Sequence, residues 1–160
     1  MEVKVSWMCC SKSCNPAHDI PFSVTLPVGS ESLKDVAVAT VFDEARAKVP
    51  KPDPRWEAKA KRKGDKVLLE MRPREDSAKR NANELGEMRF FTADGLVDSD
   101  AAQQVEVQPD GSLRWELVWS EFGPKQPTVL HGVVRASGGW RSGGPEFIEL
   151  EAAYAEDAPE

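Results

Sequence analysis

Cys9, Cys10 and Cys14 are the only cysteines of the 160-residue chain, and they stand within six positions. Any intrachain disulfide among them closes a very short loop. For a Cys10–Cys14 bridge, loop-closure entropy contributes only about 2 kcal/mol, because the closed loop holds about five residues. A staple meant to stabilise a chain of this length would join distant segments instead. A small exposed loop also strains a disulfide and makes it easier to reduce. Lys12 lies inside the loop, and a nearby cation favours the thiolate that exchange requires. The spacing therefore fits a redox-active pair and, equally, a structural clip. A third chemistry is metal binding: Met8, Cys9, Cys10, Cys14 and His18 supply soft ligands suited to Cu(I). Cys-x3-Cys-x3-His also begins a zinc set, for which His131 is the only other histidine in the chain.

The remaining constellations read as structure. Arg55 to Lys66 is basic, with Lys59, Lys61, Arg62 and Lys63 around Trp56, but Glu57 and Asp65 interrupt it. With a net charge of −6 the chain is a poor partner for a polyanion, so nucleic acid is excluded and the segment reads as a solvated approach to a strand. Asp94, Asp98 and Asp100 fail the calcium-loop spacing, and Asp94-Gly95 reads as a turn. The glycines between 138 and 144 lack the Lys-Ser/Thr ending of a phosphate loop and read as a hairpin loop. Two histidines without a Ser or Asp partner give no hydrolase triad. Trp115 and Trp119 suit core packing or a partner surface.

These residues need elements to hold them. Val3, Val5 and Trp7 alternate with Lys4 and Ser6, the period of a half-buried strand, and Phe22, Val24 and Leu26 repeat it before Pro27 and Gly29. The first thirty residues thus form two strands joined by the cysteine segment. Leu33, Val36, Val41 and Ala45 then follow a helical stripe over 32–49, with Ser30 or Ser32 as cap. The proline-rich stretch 50–54 ends the helix and marks a linker or subdomain boundary. Beyond it the pattern is all β. Val67, Leu69 and Met71 alternate, Met88 to Phe91 is a short apolar run, and Val105 and Val107 precede an Asp110-Gly111 hairpin turn. Leu113, Trp115, Leu117 and Trp119 alternate next, followed by Leu130 to Val134 and a last strand, 147–154. Seven or eight strands at this spacing predict a mainly β, antiparallel sandwich with one helix.

Composition agrees with a folded globular protein: 40% of residues are hydrophobic and 30% charged. No run approaches the 18 or more apolar residues of a membrane span, and the N-terminus lacks the apolar stretch of a secretory signal. Met1 opens directly onto strand-like sequence, which suggests a piece of a longer protein. The expected organisation is a cysteine-bearing strand–loop–strand over 1–30, a helix plus β-sandwich segment over 31–155, and an acidic tail over 156–160.

The segment Trp7-Met8-Cys9-Cys10-Ser11-Lys12-Ser13-Cys14-Asn15-Pro16, followed by a strand ending Leu26-Pro27-Val28-Gly29, resembles the periplasmic N-terminal region of the transmembrane thiol:disulfide interchange proteins of the DsbD and ScsB type. That family shows an aromatic residue three positions before a cysteine, a short spacer, a second cysteine and then a proline. In this register Cys10 and Cys14 are the family pair, and Cys9 departs from the pattern. Weaker likenesses continue at Phe42 to Pro50, Arg89-Phe90-Phe91, Ala101 to Gln104 and Leu130 to Val134. The family places the pair late in an immunoglobulin-like domain, whereas here it lies at the start.

The resemblance implies an immunoglobulin-like fold, a periplasmic location and electron relay as a protein-disulfide reductase, with no cofactor beyond the cysteine pair. Its implied partners are thioredoxin-fold proteins and the transmembrane part of a parent protein. It also implies that Cys14 faces the partner, that Cys10 resolves, and that Trp7 and Pro16 shape the site.

Overall fold

The computed structural model describes residues 2–10, 13–25, 28–31, 35–75 and 79–156, except the side chains of Cys10 and Glu156. Among these, the fold is mainly β with two short helices, and the chain divides into two units, Met1–Arg46 and Ala47–Glu160.

The first unit begins with an antiparallel two-stranded sheet, β1 (Glu2–Cys10) and β2 (Cys14–Ser23). Helix α1 (Val36–Lys48) follows. Its start is capped by Asp35, whose Oδ1 accepts from the Ala37 N–H at 2.9 Å, and not by Ser30. Ser32, the other expected cap, lies outside the described residues, as does Leu33. None of the described residues of α1 is buried, so the apolar stripe anticipated at Val36, Val41 and Ala45 faces no core.

The second unit holds the hydrophobic core. Its strands are β3 (Lys51–Pro52), β4 (Trp56–Lys63), β5 (Lys66–Pro73), β6 (Met88–Thr92), β7 (Gln104–Val107), β8 (Leu113–Val118), β9 (Val129–Ala136) and β10 (Phe147–Glu156), with the four-residue helix α2 (Ala82–Leu85) before β6. The sheet order is β6-β9-β10-β4-β5-β8-β7, and β3 pairs separately with β10. Two expectations are corrected here. The sheet is not purely antiparallel, because β10 runs parallel to both β3 and β4. A second helix exists as well, started by a reciprocal capping box between Asn81 and Glu84.

The strands alternate strictly. In β8, Leu113, Trp115 and Leu117 are buried while Arg114, Glu116 and Val118 are exposed. One face of every long strand of the second unit feeds a single cluster that includes Trp56, Leu69, Phe90, Trp115, Leu130, Trp140 and Ile148. A sheet that buries one face in one core must curl on itself, and this one is nearly closed like a barrel. Its closure uses a side chain: the Gln103 amide accepts from the Phe90 N–H at 2.8 Å and donates to the Phe90 carbonyl at 2.7 Å. Gln103 immediately precedes β7 and Phe90 lies in β6, so one amide bridges the two ends of the strand path.

Strand β4 overturns the reading of 55–66 as a mere approach to a strand. Trp56 and Ala60 are buried and Glu57, Lys59, Lys61 and Lys63 are exposed, so the basic run is the outer face of a central strand. Arg62 crosses the Trp119 ring with its guanidinium carbon 3.7 Å from the centroid. Trp115 is core and Trp119 is partly buried against it. Asp94 accepts from Thr92 Oγ1 at 2.7 Å and from the Leu96 N–H at 3.0 Å, which makes it a turn residue.

Candidate functional site: the cysteine hairpin

The register of β1 and β2 positions the cysteines. From the open end, Glu2 pairs with Ser23, Val3 with Phe22, Lys4 with Pro21 and Val5 with Ile20. The register then shifts: Trp7 pairs with Ala17, Met8 with Pro16, Cys9 with Asn15 and Cys10 with Cys14. Between the two stretches Ser6 faces two residues, His18 and Asp19, which is a β-bulge. Asp19 adopts a φ of 52°, the only non-glycine at positive φ among the described residues. Its N–H donates to Ser6 Oγ at 3.1 Å. Aspartate is among the few side chains that tolerate this left-handed conformation.

The bulge aligns two patterns that are out of phase in the sequence. Alternate positions of a strand share a face, so Val3, Val5, Trp7 and Cys9 fall on one side of β1. Across the shifted ladder, Ala17, Ile20 and Phe22 join them. Cys14, Met8 and Pro16 occupy the other face, and the backbone of Cys10 stands opposite Cys14. Directly opposed positions of an antiparallel ladder have α-carbons about 4.5–5.5 Å apart. Disulfides span about 4.4–6.8 Å between α-carbons, so the Cys10–Cys14 register matches the backbone span a disulfide needs.

Each sequence-predicted residue can now be placed. Cys14 and Pro16 are exposed and on one face, with Pro16 opposite Met8. Cys10 has its backbone opposite Cys14, while its side chain lies outside the described residues. Cys9 is a free, exposed thiol on the opposite face. Trp7, half-exposed at 49%, shares that opposite face and stands across from Ala17. Lys12 lies outside the described residues. His18 is exposed and sits in the bulge. Among the described residues, no group of three or more His, Cys, Asp or Glu side chains is arranged to hold a metal ion.

Sequence reasoning missed Ser6 and Asp19, although the signal was present. The apolar set is odd-numbered in β1 (3, 5, 7) but even-numbered at the end of β2 (20, 22). Cys10 and Cys14 share parity. No straight register satisfies both, so an extra residue had to lie between them.

The described residues of the hairpin are all exposed or partly exposed. Val5, Ile20 and Phe22 on its apolar side are 41–56% exposed, and none of the described residues of Met1–Arg46 is buried. Cys9 and Cys14 are both exposed to solvent.

No protein-family model matches the chain, and no curated protein does. Among solved structures, the fold resembles the crystal structure of the N-terminal periplasmic domain of ScsB from Proteus mirabilis, with a TM-score of 0.53 and 12% identity over 92% of this chain. The match takes in 55% of that chain, so this protein spans about half the length of the domain whose fold it shares.

Proposed function

We propose that this chain is a periplasmic electron-relay segment that passes reducing equivalents by thiol–disulfide exchange through Cys10 and Cys14. The observation that carries the reading is their direct opposition at the exposed end of a hairpin. The fold likeness to a domain described as periplasmic supports it, and no described helix is long and apolar enough to cross a membrane. We read the curled sheet as a variant of the immunoglobulin-like architecture of that domain.

The exchange runs in two displacements. The Cys14 thiolate attacks one sulfur of a thioredoxin-fold partner's disulfide, forms a mixed disulfide and expels the partner's other sulfur as a thiolate. The Cys10 thiolate then attacks the Cys14 sulfur and releases the partner's second thiolate. Two electrons reach the partner, the Cys10–Cys14 pair becomes a disulfide, and the two protons lost by the cysteines end on the partner's thiols. A dithiol of the transmembrane part of a parent protein regenerates the reduced pair. Lys12, between the cysteines in sequence, favours the thiolate, and Pro16 borders the pair.

The reduction potential of the Cys10–Cys14 couple tests this reading. Structural disulfides lie below about −300 mV and exchanging ones above. A potential above that line is the expected result, and one well below it makes the pair a clip.

A further inference from the structure

We infer that the Asp19–Ser6 bulge is a positioning device that selects which cysteine Cys14 can pair with. The inference rests on the reading of Cys10 and Cys14 as the exchanging pair, and it assigns a consequence to the extra thiol, Cys9.

At the open end of the hairpin, paired positions follow Val3 with Phe22 and Val5 with Ile20; at the closed end they follow Cys9 with Asn15 and Cys10 with Cys14. Suppose the open-end register ran straight through. Cys10 would then oppose Asn15 and Ser11 would oppose Cys14, which places Cys10 and Cys14 on opposite faces of the ladder. In that register Cys9 opposes Pro16, two rungs from the Ser11–Cys14 pair and so diagonal to Cys14. Cys9 and Cys14 would share a face. A one-residue slip moves every side chain of a strand to the other face, so register decides the disulfide partner.

The alternative straight register, set by the closed end, keeps Cys10 opposite Cys14. It turns Ile20 and Phe22 away from Val3, Val5 and Trp7, breaking the apolar face. Loss of the bulge therefore favours the open-end register, since that one retains the cross-strand apolar pairs. What holds the bulge is Asp19 at φ 52° with its N–H on Ser6 Oγ. A β-branched residue resists that conformation, whereas glycine adopts it freely.

The two thiol pairs can be measured apart in the full-length chain. Cys9→Ser leaves Cys10 and Cys14, and Cys10→Ser leaves Cys9 and Cys14. Each is equilibrated with reduced and oxidised glutathione, and intrachain disulfide is read by alkylation and mass spectrometry. With Asp19 present, the Cys10–Cys14 constant should exceed the Cys9–Cys14 constant by at least about tenfold, the effect of facing against opposed sulfurs. Asp19→Val should lower the first and raise the second above its value in concentrated urea, an increase that mere unfolding cannot produce. Asp19→Gly should leave both unchanged. Deletion of Asp19 should preserve the Cys10–Cys14 preference, because it brings both ends of the hairpin into one register. Equal constants with Asp19 present, or constants unmoved by Asp19→Val, overturn the register inference while leaving the pair intact. Absence of an intrachain disulfide from Cys9→Ser overturns the pair itself.

Discussion

Asp53 and Arg55 form an ion pair joined by three hydrogen bonds, and its pH dependence follows from its geometry. The Asp53 carboxylate accepts from the Arg55 backbone N–H at 3.1 Å, from Nε at 2.9 Å and from Nη2. The Asp53 side chain is only 11% exposed. The Arg55 hydrogen bonds hold the Asp53 pKa below its ordinary 3.8 against the opposing effect of burial. A folded-state pKa below the unfolded one stabilises the protein above the unfolded value, and that stability is lost as pH falls through the folded value. Asp53→Asn should therefore cost about 1–3 kcal/mol at neutral pH, the range for charge-assisted hydrogen bonds. In thermal melts the gap between wild type and variant should stay constant down to about pH 4 and narrow below it. A gap that is flat across the acid range would show that the pair contributes nothing ionic. Close approach governs Gly138 in the same local way. A Cβ there would sit 1.8 Å from the Glu84 carbonyl oxygen, so Gly138→Ala should lower stability by about 1–3 kcal/mol, measured by urea denaturation.

At the scale of elements, the two ends of the strand path are joined by one amide. Replacing Gln103 by Leu leaves the Phe90 N–H and carbonyl without their partner in a strand whose Phe90 side chain is fully buried. The expected loss is about 1–3 kcal/mol, with faster hydrogen exchange at the Phe90 amide. Exchange at Phe90 unchanged from wild type would mean the sheet closes by other means. Elements with strict alternation and bulky inward residues, such as β8, were legible in the sequence, because period 2 with Leu and Trp admits one reading. Strand β4 was not, since its inward set contains Ala58 and Ala60 and its outward set is basic, which hides a central strand behind a charge run. The parallel pairing of β10 with β4 was equally hidden, because periodicity within a strand carries no information about its neighbour's direction. The site followed the same division. The cysteine spacing fitted an exchanging pair and a structural clip equally, while the register that opposes Cys10 and Cys14 includes an αL aspartate at its shift, which spacing alone did not expose. The Asp110-Gly111 turn, by contrast, is as read: Gly111 takes φ 83° and Asp110 accepts from the Ser112 N–H at 2.9 Å.

At the scale of the whole chain, the buried core and the proposed exchange site fall in different units. Among the described residues, every buried hydrophobic side chain lies between Trp56 and Tyr154, and the cysteine hairpin contributes none. A two-stranded hairpin alone is marginal in water, so the second unit carries cooperative folding. A fragment of residues 47–160 should unfold in a single transition with a midpoint within about 4 °C of the full chain, the shift that about 1 kcal/mol produces in a domain of this size. A broad or strongly lowered transition would show that the hairpin unit is integral to the core. Such a fragment should also have no thiol–disulfide activity, having no cysteine. In the proposed relay Cys14 receives a partner's disulfide and Cys10 completes the exchange. This order is tested most directly by reacting the reduced Cys9→Ser/Cys10→Ala and Cys9→Ser/Cys14→Ala chains with a single-cysteine thioredoxin activated as its thionitrobenzoate mixed disulfide, following thionitrobenzoate release and the covalent product. A stable mixed disulfide should form through Cys14, faster than any through Cys10, and should be released when Cys10 is restored. No covalent product from either chain, or one that a restored Cys10 fails to resolve, would contradict it.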